Sequence, residues 1–329
     1  LVELMDTLIE KMEKDENYKF FHLDGQTIII DDYLEIKPQM KDRLYALIDA
    51  GRIQVGPWYI LQDEYLTSGE SNVRNMLEGL KFCKENNIDP VMSGYMPDAF
   101  GNISQMPQIL AGFEIDNAIF GRGQWPILFD NMVPKEQKPG DKELCWQGAD
   151  GTEVMGIMFG DWYNNANEMP CDEDGVKARY SKIINWLELT AKTPHMLGMN
   201  GCDHQPIQLN LPESIEAANK IFSNDIEIKH SNFKDFVSLI RPYFKDFAKV
   251  EGELASQQTS GWCRLVDTAS THIPLKQQNH KVQNILTFKS EPVSSVASLF
   301  GDKYRNDMLR YAWKTLMQCH PHDSICSCS

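Results

Sequence analysis

The sequence predicts an α/β fold built on a parallel sheet, open or closed into a barrel. Three observations carry this. Short runs rich in β-branched and aromatic residues alternate with longer stretches of helical period. The alternation runs to about residue 256 with no internal repeat or low-complexity segment to interrupt it. Acidic residues recur just after strand after strand, where sheets of this class gather their chemistry.

The elements follow in order. "LVELMDTLIEKMEKD" is an amphipathic helix with Leu1, Leu4, Met5, Leu8, Ile9 and Met12 on one face. "YKFFHL" (18–23) reads as a strand, and a helix follows over 31–51, which Gly51 can close. "RIQVGPW" (52–58) is the next strand and 70–87 the next helix. "VMSGY" (91–95), a helix around "SQMPQILAGF" and "DNAIFG" (116–121) come next. Beyond an irregular stretch near 126–142 lie the strands "ELCWQ" and "TEVMGIMF". A helix near 175–192 leads to the strand "HMLGMN" (195–200), and one near 213–223 leads to "IEIKH", with "VEGEL" ending the series. After about 256 the chain turns polar and irregular, and from 274 onward it reads as helices. The expected division is an α/β unit over 1–260 and the start of a helical module over 261–329.

Composition excludes several classes. The chain has 329 residues and a formal charge of −15 with no basic block, a surface that repels phosphate backbones and anionic lipid. No apolar run approaches the roughly 18 residues of a membrane span. The eight cysteines form no C-x-x-C pair and read as reduced thiols of a cytosolic enzyme. "NIS" at Asn102 matches a glycosylation acceptor, a triplet common by chance. A helix at the first residue, without an initiating methionine, and a tail dense in His and Cys lead us to expect that both ends are cut.

The residues that follow the strands are Asp24, Asp63, Glu64, Asp98, Arg122, Asp161, Asp203 and His204. Any one of them is explained by turn and cap preferences, and it is the recurrence that counts. Asp98 stands in "GYMPDAFGN", where Pro97 and Gly101 constrain the turn, and Asp203 stands in "MNGCDHQ" after Gly201. Two carboxylates at one end of a sheet suit glycoside hydrolysis, one as nucleophile or base and the other as acid. Aspartic hydrolases, phosphatases and metal sites use such pairs too. Trp58, Tyr59, Trp125 and Trp162 fall in strand-end loops, where aromatic faces stack on sugars but also serve as ordinary packing. The terminal "HPHDSICSCS" offers His320, His322, Asp323, Cys326 and Cys328, the last two a C-x-C pair open to a separate metal reading.

The blocks "GRIQVGPWYILQDEYLTSGESNVRNMLEG", "GYMPDAFGNISQMPQILAGFEIDNAIFGRG", "MNGCDHQ" and "HPHDSICSCS" together resemble the α-mannosidases of glycoside hydrolase family 38, of the bacterial, cytosolic type. The likeness extends from "FHLDGQ" to the last residue. It implies a barrel of seven parallel strands followed by a helical middle domain, a retaining mechanism and one Zn²⁺. Asp98 is then nucleophile and zinc ligand, and Asp203 the acid/base, with Cys202 where many relatives carry a further Asp. His322 is a second zinc ligand, and two more, an H-x-D pair, lie upstream of Leu1. Arg122, Trp58, Tyr59 and Asp323 are the candidate substrate contacts. The cysteines of the tail are not ligands in that family, and His320 is read as structural. A cytoplasmic enzyme is implied, forming a homodimer and acting on α-mannosides. Two other readings are a zinc-dependent carbohydrate deacetylase and a non-catalytic sugar-binding module.

Overall fold

The computed structural model describes residues 1–123, 142–256 and 265–327. The first helix, α1 (Val2–Lys14), buries Met5, Leu8, Ile9 and Met12 as its spacing demands, and leaves Leu1 exposed. β1 (Phe21–His22) follows. The helix expected over 31–51 is two helices, α2 (Ile28–Ile36) and α3 (Lys41–Asp49), joined by a 3₁₀ turn at Pro38–Met40. Proline disfavours the helical region for the residue before it, and Lys37 accordingly leaves it, at φ −125° and ψ 59°. Gly51, at φ +70°, ends α3: its amide bonds to Ile48 O and that of Arg52 to Leu47 O.

β2 (Ile53–Gln54) pairs parallel with β1. α4 (Gly69–Glu85) starts at Ser68, whose hydroxyl accepts from the Ser71 amide at 3.1 Å. Then come β3 (Gly94–Met96), α5 (Met106–Gly112), β4 (Asn117–Phe120), β5 (Glu143–Gln147) and β6 (Glu153–Met158). α6 (Glu173–Glu188), α7 (Leu211–Phe222), α8 (Phe233–Ile240) and β7 (Lys249–Glu251) complete the α/β part. The helical part holds α9 (Ile273–Ile285), α10 (Glu291–Leu299), α11 (Asn306–Met317) and α12 (His322–Cys326). The boundary expected at 260 falls within 257–264, outside the described residues.

The described strands do not close into a ring of seven parallel strands. They form the β1–β2 pair and a five-stranded mixed sheet of order β3-β4-β6-β5-β7. β5 runs antiparallel to β6 because only residues 148–152 join them, far too few for a parallel crossover. The strands expected at 195–200 and 226–230 are irregular, and side chains explain both. Asn165 stands in as the neighbour of 195–200, taking the Met199 amide at 2.7 Å and donating to Leu197 O at 3.3 Å. Asn219 does the same for Ile228, accepting from its amide and donating to its carbonyl, each at 2.8 Å.

The main core surrounds the five-stranded sheet, with Phe120, Trp146 and Ile157 at its centre, and a second core lies among α1, α2, α3 and the β1–β2 pair. The helical part docks through a third cluster, where Tyr59 and Ile60 meet Leu286, Trp313, Leu316 and Met317. Each large side chain so buried contributes about 1.5–3 kcal/mol. Polar contacts fix the register of this docking: Gln283 donates to Ser71 Oγ at 2.9 Å, and His320 bonds to Asn279 Oδ1 at 2.8 Å. Among the described residues no helix is long and apolar enough to cross a membrane.

Candidate active site

Asp98 lies two residues past the end of β3, and Arg122 two past the end of β4. Neighbouring parallel strands thus deliver both side chains to one spot. Gly121 permits the approach, because a Cβ there would stand 2.2 Å from Pro97 O and 2.8 Å from the Trp162 ring. Arg122 Nε donates to Asp98 Oδ1, and the guanidinium lies 5.2 Å from the Phe100 ring centre and 4.8 Å from that of Trp162. Asn102 fixes the arginine from behind, donating to Arg122 O at 3.0 Å. The Asp98 side chain is 16% exposed. Burial pushes its pKa above the usual carboxylate value, against the opposing hydrogen bond and charge of Arg122.

His322 reaches this place because residues 320–322 run alongside 61–63, just beyond β2. Pro321 bridges antiparallel to Gln62, the Asp63 amide donates to His320 O at 3.0 Å, and the His322 amide to Leu61 O at 3.3 Å. His322 Nε2 then stands 3.8 Å from Asp98 Oδ2, with its ring edge-on to Phe100 at 5.3 Å. Asp323, largely exposed, lies 3.9 Å from the same nitrogen.

Two donors on one tetrahedral Zn²⁺, each bonded at about 2.0–2.2 Å, are roughly 3.5 Å apart. Asp98 and His322 face each other at close to that separation, too far apart for a hydrogen bond, so their chemistry and placement fit two positions of a zinc shell. No group of three or more His, Cys, Asp or Glu able to hold a metal occurs among the described residues. Of the C-x-C pair, Cys326 is buried and Cys328 lies outside the described residues.

Asp203 is held by Tyr163, whose hydroxyl donates to Oδ2 at 2.6 Å. Tyr163 packs against Trp162 with the ring centres 4.5 Å apart and the planes tilted by 36°. One dipeptide after β6 thus touches both halves of the site, Trp162 against Arg122 and Tyr163 on Asp203. Asp161 opens this loop at φ +78°, a left-handed conformation unusual for a residue with a side chain. Tyr163 was not among the residues singled out from sequence. Its signal was the position, directly behind Trp162 at a strand end.

Asp24 leaves β1 in a left-handed conformation (φ +46°) and accepts from Gln26 Nε2 at 2.8 Å. The residue keeps exposed area, yet protein crowds its carboxyl and raises its pKa to about 7, with Asp203 adding to the rise. Burial pushes the Tyr95 phenol well above its ordinary range, and the charges of Asp24, Tyr163, Asp203 and Asp98 add to the rise.

Two candidate substrate contacts are covered. Trp58 is 0% exposed within the main core, and Tyr59 is 1% exposed, its hydroxyl accepting from Gln318 at 3.0 Å. Trp58 packs in the main core with Met76 of α4, and Tyr59 packs against the helical part. Trp125 lies outside the described residues. Asn102 is buried with its amide committed to Arg122 O, so the "NIS" triplet cannot take a glycan in the folded chain.

Comparison with known proteins gives the family. A family model described as the glycosyl hydrolases family 38 N-terminal domain matches residues 1–253. The chain is 44% identical to a putative mannosylglycerate hydrolase of Halalkalibacterium halodurans, over all of its own length and 37% of that protein. It is 22% identical to Alpha-mannosidase 2C1 of Homo sapiens, over 97% of the chain and 29% of that protein. The crystal structure of an alpha-mannosidase from Enterococcus faecalis V583 superposes with a TM-score of 0.91 at 42% identity, covering 100% of this chain and 36% of that one. The chain therefore spans about a third of the length of these relatives. It belongs to glycosyl hydrolase family 38, and residues 1–253 carry that family's N-terminal domain.

Proposed function

We propose that the protein containing this chain is a retaining, zinc-dependent α-mannosidase of the cytoplasm. The observation that carries the reading is Asp98, a mostly buried carboxylate held on one oxygen by Arg122 while the other faces His322. Asp98 attacks the anomeric carbon and forms a glycosyl ester, while Asp203, held by Tyr163, passes a proton to the departing oxygen. Asp203 then takes a proton from the water that displaces Asp98, and the two inversions give retention.

Asp98 and His322 would hold Zn²⁺ together with the H-x-D pair implied upstream. When bound, the metal supplies Lewis acidity and a template for the sugar hydroxyls. The closed barrel of seven strands belongs to the same proposal, as a property of the whole protein. The first substrates to try are small α-mannosides of hydroxy acids, since the relative at 44% identity is called a putative mannosylglycerate hydrolase.

The test is hydrolysis of an aryl α-D-mannoside and of mannosylglycerate by the full-length protein, with and without a zinc chelator. Chelator-sensitive release, with α-mannose as the first-formed anomer by NMR, is the expected result. β-Mannose as the first product, or acetate release from acetylated sugars without glycoside cleavage, would contradict it.

A further inference from the structure

A buried acid beneath the site is not used by the chemistry above. Glu64, 2% exposed, accepts from the Ile103 amide through Oε2 at 2.8 Å, while Oε1 has no hydrogen-bond partner among the described residues. Asn102, next to Ile103 and 0% exposed, has its Oδ1 likewise without a partner. The rest of Asn102 is fully engaged. Its Nδ2 donates to Arg122 O, its backbone exchanges two hydrogen bonds with Leu254 at 2.9 Å each, and its carbonyl accepts from Tyr65 Oη at 3.1 Å. Glu64 therefore grips the far end of the turn that begins at Asp98, at the residue pair that also grips Arg122.

We propose that Glu64 is a positioning residue for the nucleophile turn, anchoring residues 98–103 as a neutral carboxyl that accepts from Ile103 and has a proton to give. An ionised carboxylate here would leave a charged oxygen buried without a donor, which is strongly unfavourable. A protonated one turns the unpaired acceptor into a donor, and Asn102 Oδ1, on the residue before the one Glu64 binds, is an acceptor that lacks one. Burial and the nearby Asp63 both push Glu64 toward this form. The consequence for catalysis rests on the mannosidase reading of Asp98, whereas the anchoring does not.

Glu64→Gln and Glu64→Ala in the full-length protein test this with three measurements. In Glu64→Ala the amides of 98–103 exchange hydrogen about tenfold faster or more. The same variant loses about tenfold or more in kcat toward an aryl α-mannoside, with KM within about twofold. Glu64→Gln, neutral and of the same shape, keeps protection and kcat within about threefold of wild type. The infrared spectrum of the wild type at neutral pH shows a protonated-carboxyl stretch that Glu64→Gln lacks.

Exchange in Glu64→Ala equal to wild type, Glu64→Gln behaving like Glu64→Ala, or no acid band would each overturn the proposal. If Glu64→Ala does not fold, the Glu64→Gln variant and the infrared band decide. If the wild type cleaves no mannoside, the enzymatic reading fails while exchange and the infrared band still judge the anchor.

Discussion

At the scale of single residues, the site depends on how each carboxyl is held. Arg122 binds Asp98 and lies close to the Phe100 and Trp162 rings, so a lysine ammonium in place of its planar guanidinium would lose part of those contacts. Asp203 depends on Tyr163 at 2.6 Å. A hydrogen bond to a charged group is worth about 1.5–3 kcal/mol, so Tyr163→Phe should lower kcat/KM by about 10- to 100-fold. Steady-state kinetics with unchanged circular dichroism checks this. That Asp98 and Arg122 follow neighbouring strands was legible in the sequence, because each stands just after a short apolar run. Tyr163 was not, since a tyrosine behind a tryptophan looks like packing. The burial of Tyr59 was not legible for the converse reason: its local sequence does not show that residues some 250 positions later pack against it.

At the scale of elements, the departures from expectation have local causes. The split between α2 and α3 follows from Pro38, and the antiparallel β5 from the short connection after Gln147. Both causes stand in the sequence and could have been weighed there. The segments 195–200 and 226–230 have strand-like composition but meet asparagine side chains in place of a neighbouring strand, and which side chain arrives is a property of the folded molecule. Asn219→Ala should therefore leave both polar groups of Ile228 unpaired and lower stability by about 2 kcal/mol. Urea unfolding followed by fluorescence, compared with Lys220→Ala on the same helix, measures it; no difference between the two would count against the role given to Asn219.

At the scale of the whole molecule, α/β and helical parts meet at the site, since the segment bearing His322 lies against the loop after β2. The sequence announced both ingredients, the acids after the strands and the histidines of the tail, but their union needed a contact between residues 62 and 321. The fold also carries a pH dependence. His22 is wedged between Tyr95 at 4.9 Å and Phe233 at 4.7 Å, and burial lowers its pKa from 6.5 to about 3.

The folded state thus refuses a proton that the unfolded chain accepts. The associated stability is fully present above pH 6.5 and is lost progressively as pH falls toward 3. At pH 5 the loss should reach about 2 kcal/mol, and His22→Phe should remove that part of the slope. Denaturant titrations across this range, on wild type and variant, give the comparison.

The central claim is that Asp98 forms the bond to the sugar. The most direct measurement is peptide mass mapping of the full-length protein after reaction with an activated fluorinated α-mannoside, which slows release of the glycosyl-enzyme. A single mannosyl adduct on Asp98, absent from Asp98→Asn, is what this account predicts. An adduct on another residue, with Asp98→Asn labelled as readily as wild type, would contradict it.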